Sequence, residues 1–137
     1  MLFAWIVLCA FVIQTNCDEA GGYNEEDAED YMPTAWKAAV HLNQENTSIE
    51  NYYIPIKVFW ARSQVVSGTK HEFEALYGES TCKRTAMEPS EISEENCSLK
   101  EGAARAIYNV TLYENPSDGT EKYTVTKVRD VSPDEQL

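Results

Sequence analysis

Apolar side chains recur at helical spacing over one segment of the chain. We predict a helix from Pro33 to Asn46, where Pro33 suits the first turn because its missing N–H has no partner there. The face of this helix follows intervals of three and four residues: Trp36, Ala39, Val40 and Asn43, widened by Ala35, Ala38 and Leu42. Such spacing is typical of an amphipathic helix that covers one side of a sheet.

Later segments alternate between apolar and polar residues, as half-buried strands do. The predicted strands are Tyr52–Val66, Thr69–Tyr77, Ala103–Tyr113 and Tyr123–Val128. Gly78 is expected to end the second strand. Turns are indicated at Ser67-Gly68 and at Asn115–Gly119.

The first predicted strand has one apolar face, formed by Ile54, Ile56, Val58 and Trp60. Pro55 lacks an N–H donor, so this part of the strand is expected to be an edge or a bulge. Sequential strands joined by short turns favour an antiparallel meander, with the helix covering one face. The predicted fold class is therefore α+β, with an antiparallel sheet of four to five strands wrapped around one helix.

The N-terminus differs in character from the rest of the chain. Leu2–Ile13 is almost unbroken apolar sequence, too short to span a bilayer but of the length of a signal-peptide core. We predict cleavage after Cys17, leaving a single domain over residues 18–137. An uncleaved anchor and a buried core helix are the alternatives. The acidic segment Asp18–Asp30 is predicted to be a flexible arm, and Ser132–Leu137 a frayed tail.

The charge balance narrows the classes of partner. The chain carries 23 Asp and Glu against 11 Lys and Arg, a formal net charge of −12. Such a chain repels nucleic acid and anionic membrane surfaces, so neither is expected as a partner. The acidity suits a basic protein surface, although solubility is the simpler explanation.

Cleavage after Cys17 also determines the cysteine count. Of the four cysteines, Cys9 and Cys17 leave with the signal, and Cys82 and Cys97 remain as an even pair in an oxidising compartment. We expect them to form one disulfide. The segment between them contains Pro89 and many polar residues and is predicted to be a loop. Metal ligation is the weaker alternative, because no histidine clusters with the pair.

Three sequons are compatible with secretion. Asn46 and Asn109 are candidate glycosylation sites, while Asn96 has cysteine in the central position and is expected to be used poorly. Asn109 is the better candidate, because alternation along its strand points it away from the apolar face.

The segment Gln64-Val65-Val66-Ser67-Gly68 resembles the Gln-x-Val-x-Gly signature of the cystatins, which lies at the tip of their first hairpin. It falls between two predicted strands, as in that family. Downstream, Gly78–Lys83 is similar to the segment that carries the first disulfide cysteine of secreted type-2 cystatins, and Cys97 stands where the partner is found. The resemblance covers about Gly21 to Val131. It implies a secreted, monomeric, reversible and tight-binding inhibitor of papain-like cysteine proteases of the cathepsin L, B and S class, without cofactor or metal.

The resemblance also implies a three-part wedge in the protease cleft. Gly21 or Gly22 lets the N-terminal arm enter the cleft, although each is equally compatible with a plain linker. Gln64–Gly68 covers the catalytic Cys–His pair, and the second hairpin, with Pro116 and Ser117, completes the wedge.

This chain departs from the type-2 pattern in two ways. Pro-Trp of the second hairpin is Pro116-Ser117 here, and the second disulfide is missing, with Tyr108 near the position of its first cysteine. A looser second hairpin and weaker or narrower inhibition are therefore expected. Asn46-Thr47-Ser48-Ile49 is out of register with the loop that blocks legumain-type proteases, so that activity is not predicted.

Two other function classes compete with inhibition. An enzyme is disfavoured, since the mature chain has two histidines, His41 and His71, and both matched motifs are incomplete: Gly78–Cys82 lacks the last glycine of Gly-x-Ser-x-Gly, and His71-Glu72 lacks a second histidine. A secreted cystatin-fold binding or immunomodulatory module, with weak or no inhibition, is the alternative that the missing tryptophan and disulfide favour.

Overall fold

The computed structural model describes residues 22–137. The predicted signal peptide, its cleavage point and Gly21 lie outside the described residues. Within residues 22–137, five antiparallel strands form one sheet in chain order: β1 Tyr23–Glu26, β2 Asn51–Val65, β3 Thr69–Lys83, β4 Arg105–Glu114 and β5 Glu121–Val131. One α-helix in this part of the chain, α1 (Met32–Glu45), packs against the sheet. The predicted α+β fold, an antiparallel sheet around one helix, is confirmed.

The helix begins after a 3₁₀ turn, Ala28–Tyr31, whose first N–H groups are capped by Asp27: its carboxylate accepts from Glu29 N at 3.1 Å. The buried residues of α1 are Ala35, Ala38, Ala39, Leu42 and Asn43. Trp36 and Val40, which were predicted on this face, are half-buried at its flank. Three alanines let the helix axis approach the sheet closely. Among residues 22–137, no helix is long and apolar enough to cross a membrane.

The main core lies between α1 and the inner face of the sheet. Strand β3 contributes Phe73, Ala75 and Tyr77, each fully buried. The Tyr77 hydroxyl donates to the Ala35 carbonyl at 2.8 Å, and burial raises the pKa of this phenol strongly. This hydrogen bond joins the middle of the helix to the central strand.

Strand β2 changes its buried face along its length. Register shifts occur between Pro55 and Lys57 and between Val58 and Trp60, so Pro55 does lie at an irregularity. After the second shift Ala61 and Ser63 are buried, while Trp60 is 37% exposed. The prediction that Ile54, Ile56, Val58 and Trp60 share one apolar face is therefore wrong. Val58 lies in the core beneath the helix, whereas Ile54 packs with Cys82 and Cys97, because the register shift at Pro55 lies between Ile54 and Val58 and reverses the alternation.

Of the boundaries that differ from the predictions, three follow from contacts in the fold. Gly78 does not end β3 but lies inside it, where a Cβ atom would meet Ile56 Cδ1 and Leu99 Cδ1, both at 2.7 Å. Strand β5 extends to Val131, which is buried beside Leu76 and Ile107. Part of the predicted flexible arm is a strand, because Tyr23–Glu26 pairs with Ala61–Gln64 along the edge of β2.

A second buried cluster lies at the end of β3. Cys82 and Cys97 form the predicted disulfide, with an S–S distance of 2.01 Å, and pack with Tyr52, Ile54 and Ile92. The loop between the cysteines contains a short 3₁₀ turn, Pro89–Glu91. The disulfide thus holds this loop against the base of β2 and β3.

Replacing both Cys82 and Cys97 with alanine is expected to lower the free energy of unfolding by about 3 kcal/mol, because the bridge closes a loop with a sequence separation of 15. Urea denaturation at fixed temperature measures the loss. The unmodified protein kept in reductant is the matched control and should unfold at the same midpoint as the variant. An unchanged midpoint in the variant would contradict a stabilising role.

Candidate functional site

Three segments meet at one end of the sheet, where the β2–β3 and β4–β5 hairpins turn. Gly22 is exposed and directly precedes Tyr23, which pairs with Gln64. Thr69 at the start of β3 pairs with Glu114 at the end of β4. We call the set of Gly22, Gln64–Gly68 and Asn115–Thr120 the tip edge. The structure therefore brings together all the predicted wedge residues that it describes.

The first hairpin presents apolar side chains to solvent. Its loop is closed by Val66 N–H, which donates to the Gly68 carbonyl at 2.9 Å. Val65 is 65% exposed and Val66 43% exposed, and Ser67 is exposed beside them. Apolar side chains at an exposed turn gain free energy when a partner covers them.

Gly68 is buried at a position where the fold leaves no room for a side chain. A Cβ atom there would lie 2.4 Å from the Glu114 carbonyl oxygen and 2.9 Å from the Tyr113 hydroxyl. The positive-φ glycines among residues 22–137 are Gly102 and Gly119, so Gly68 does not have a left-handed conformation. Glycine at this position lets the first hairpin rest directly on the end of β4.

The second hairpin is closed by its own hydrogen bonds. Asn115 N–H donates to the Thr120 carbonyl at 2.9 Å, and Gly119 N–H donates to the Asn115 carbonyl at 2.9 Å. Gly119 has a φ of 71°, which favours glycine. The Asp118 carboxylate accepts from the Thr120 hydroxyl and N–H, which lowers the pKa of that carboxyl. These hydrogen bonds close the turn on itself, and the looseness expected from the missing tryptophan stays a prediction.

Pro116 and Ser117 are exposed at the tip of this second turn. The Asn115 side-chain oxygen accepts from Ser117 N–H at 3.0 Å, which fixes the backbone between them. A cavity of about 240 Å³ lies between the two hairpins, lined by Thr69, Glu114, Pro116 and Thr120 among others. The second hairpin therefore offers a fixed but small contact surface.

Sequence reasoning missed a polar group beneath the tip edge. The Tyr31 hydroxyl lies 2.7 Å from His71 Nδ1, and His71 Nε2 lies 3.3 Å from Glu114 Oε2. On the neighbouring strands, the Ser63 hydroxyl donates to Glu26 Oε1 at 2.7 Å. In the alternating sequence of β3, His71 stands on the same side of the strand as Phe73. A polar residue at a strand position where the alternation calls for an apolar one was the available sign of this polar group.

Two exposed aromatic residues near the tip edge were also missed. The Arg62 guanidinium lies 3.8 Å from the centroid of the Tyr23 ring and 5.5 Å from that of Trp60. Arg62 also forms an ion pair with Glu72 on β3. This stacking holds β1 against β2 by side chains as well as by backbone pairing.

The candidate glycosylation sites differ in their surroundings. Asn109 is half-buried on the outer face of β4, paired across the sheet with Glu74 and Thr126. Asn46 caps the C-terminus of α1, and its carbonyl accepts from Arg84. The Asn96 side chain accepts from the Ser93 N–H and hydroxyl and donates to the Glu91 carbonyl.

The histidines and cysteines of residues 22–137 each have a partner inside the fold. His41 stacks on Tyr123 with ring centroids 4.4 Å apart, whereas His71 bonds Tyr31 and Glu114. Both cysteines of the described chain form the disulfide. Residues 22–137 contain no group of three or more His, Cys, Asp or Glu side chains that could hold a metal ion.

Comparisons with known proteins agree with this architecture. The family model described as Cystatin domain matches residues 21–130. "Cystatin cpi-1" from Caenorhabditis elegans is 36% identical over 140 residues and is aligned over 100% of both chains. "Cystatin cpi-1" from Brugia malayi is 28% identical over 104 residues, covering 76% of this chain and 78% of the relative.

A solved structure extends the likeness to the fold. The salivary cystatin from the soft tick Ornithodoros moubata superposes with a TM-score of 0.67 at 19% identity, covering 80% of this chain and 98% of that one. The family match spans all five strands except the last residue of β5, together with the helix. The chain belongs to the cystatin family of cysteine protease inhibitors.

Proposed function

We propose that this chain is a secreted, monomeric inhibitor that binds papain-like cysteine proteases of the cathepsin L, B and S class reversibly and tightly. The tip edge enters the protease cleft, with Val65 and Val66 over the catalytic pair. Residues 1–17 act as a cleaved signal peptide. The observation that carries this proposal is the convergence of three segments at one edge, with two exposed valines at its centre.

Rigidity of the tip edge supports tight binding. Both turns are closed by backbone hydrogen bonds, and Gly68 joins the first hairpin to the end of the fourth strand. Segments already held in their bound shape lose little conformational entropy on docking. Gly22 extends this edge on the side of β1, and Gly21 precedes it in the sequence.

This mechanism needs no chemical step in the inhibitor. Substrate is excluded because the tip edge occupies the cleft, and no nucleophile or bound metal takes part. Burial of Val65 and Val66 supplies apolar free energy of about 1.5 kcal/mol or more per fully covered side chain. The small Pro116-Ser117 turn contributes less contact area than an aromatic residue would.

Titration against papain and cathepsin L with a fluorogenic peptide tests the proposal. The protein from Asp18 onward, with its disulfide formed, is expected to inhibit stoichiometrically and reversibly at nanomolar concentration. Val65→Ser combined with Val66→Ser should weaken inhibition roughly 50-fold, since two apolar contacts are lost. Val128→Ser is the matched control, because Val128 is 50% exposed on β5, away from the tip edge.

The opposite result would identify the alternative function. No inhibition at micromolar concentration by a folded sample would leave a cystatin-fold binding or immunomodulatory module. Secretion is tested separately by N-terminal sequencing of protein recovered from culture medium, where Asp18 is expected as the first residue. A product that begins at Met1 would contradict the signal peptide.

A further inference from the structure

A histidine lies on the helix-facing side of the sheet close to the tip edge. Farther along β3, that side carries the fully buried Phe73, Ala75 and Tyr77. At the tip end the same side carries His71, whose two ring nitrogens both have partners. Tyr31 contacts Nδ1 at 2.7 Å, and Glu114 contacts Nε2 at 3.3 Å.

One partner of His71 directly adjoins the tip edge, and the other lies in the turn that follows β1. Tyr31 ends the 3₁₀ turn that follows β1, and Glu114 is the last residue of β4, next to the second hairpin. The backbone carbonyl of this same Glu114 is the atom that Gly68 approaches from the first hairpin. A change in the contact between His71 and the Glu114 side chain therefore occurs next to the point where the two hairpins meet.

The hydrogen-bond chemistry assigns the ring protons. Burial, together with the charges of Glu26, Glu114 and Asp30, raises the pKa of Tyr31, so its hydroxyl keeps its proton. When the imidazole is neutral, Tyr31 donates to Nδ1, which places the ring proton on Nε2 and directs it at Glu114. The neutral ring thus already bonds both neighbours.

A second proton on the ring changes the character of these contacts. The new N–H at Nδ1 donates to the Tyr31 oxygen, and the contact at Nε2 becomes an ion pair with the Glu114 carboxylate. The charged and titratable groups around this site come from each element packed there: Glu26, Asp30, Tyr31, Glu114, Tyr123 and His41. Histidine is the side chain whose charge ordinarily changes between about pH 5 and 8.

We propose that His71 is a positioning residue that couples the two hairpins through Glu114 and makes inhibition tighter at acidic pH. This inference rests on the proposed inhibition of cysteine proteases. Protonation strengthens the contact between His71 and Glu114 at the end of β4. The second hairpin therefore has less conformational freedom to lose on docking. The direction follows from the sign of the charges, since the ion pair exists when the ring is protonated and is lost as the pH rises.

The inhibition constant at pH 5.5 and pH 7.5 tests the coupling. The protease is the same for every variant, so its own titration cancels when the ratios of the two constants are compared. His71→Gln and Glu114→Gln should each reduce the preference for acidic pH about two- to fivefold relative to the unmodified protein, as a partly exposed ion pair warrants. His41→Gln, which removes the other histidine, should leave the ratio unchanged. A ratio for His71→Gln equal to that of His41→Gln would overturn the proposal.

Nuclear magnetic resonance of the free protein gives a readout that needs no protease. The amide signals of Gly68 and Gly119 are expected to shift with the same midpoint as the His71 ring, and to lose that transition in Glu114→Gln. If the protein does not inhibit but these signals still titrate together, the proposed function fails and the coupling stands. If it inhibits but the amides do not follow the ring, the coupling fails. Unfolding of either variant would appear in the same spectra, and Tyr31→Phe then supplies the second test through loss of the Nδ1 partner.

Discussion

Replacing Gly68 with tryptophan is expected to weaken inhibition of papain and cathepsin L roughly 1,000-fold while leaving the domain folded. Even the first atom of a new side chain would lie 2.4 Å from the Glu114 carbonyl oxygen. The Glu114 oxygen is a backbone atom at the end of a paired strand, so it cannot rotate away from the new side chain. The first hairpin must lift from β4, which separates it from the second hairpin and spoils the shape of the tip edge.

A graded series separates this effect from a general loss of stability. Gly68→Ala carries the same clash with less bulk and should cost about 1–3 kcal/mol of binding free energy, the usual range for overpacking. Gly78→Ala is the matched control, because its Cβ would come closest to the flexible ends of the Ile56 and Leu99 side chains. Gly78 lies inside β3, ten residues from Gly68. The control variant should lower the denaturation midpoint slightly and leave the inhibition constant unchanged. Inhibition by folded Gly68→Trp within tenfold of the unmodified protein would show that the hairpin contact is dispensable.

Periodicity alone predicted the parts of the fold with repeated apolar contacts. The helix observed at Met32–Glu45 was expected at Pro33–Asn46, and β2, observed at Asn51–Val65, was expected at Tyr52–Val66. Strand β1 gave no such signal, because all four of its residues are exposed. Its conformation depends on pairing with the edge of β2 and on stacking of Tyr23 against Arg62, and both contacts join residues distant in sequence.

The same distinction applies to the candidate site. The position of Gln64–Gly68 between two strands could be read from alternation and a turn signal. The junction of the two hairpins could not, since Gly68 meets Glu114 through space. His71 is separated in sequence from Tyr31 by 40 residues and from Glu114 by 43, so local patterns carry no trace of their contacts. Bulges in β2 likewise depend on pairing, which is why the single apolar face predicted from Ile54 to Trp60 was wrong.

Asn43 has a structural role that the helical spacing of its neighbours did not indicate. It is fully buried on α1, where the sequence placed it among apolar neighbours. Its side chain donates to the Tyr53 carbonyl at 2.9 Å and accepts from the Tyr53 N–H at 2.8 Å. Because β1 pairs only with Ala61–Gln64, the edge of β2 at Tyr53 is not covered by it. The Asn43 amide takes the place of a neighbouring strand there.

Asn43→Ala is therefore expected to lower the free energy of unfolding by about 4 kcal/mol, since it leaves the N–H and the carbonyl of Tyr53 without their partner. Asn43→Leu should lose nearly as much, because it fills the space but supplies neither hydrogen bond. Urea denaturation measures both, with Gln44→Ala as the control at the next, exposed position, where a change within about 0.5 kcal/mol is expected. Recovery of full stability in Asn43→Leu would mean that packing, and not the amide, holds the helix to β2. The inhibition constant of the folded fraction should stay unchanged in all three variants, because Tyr53 lies at the opposite end of β2 from Val65.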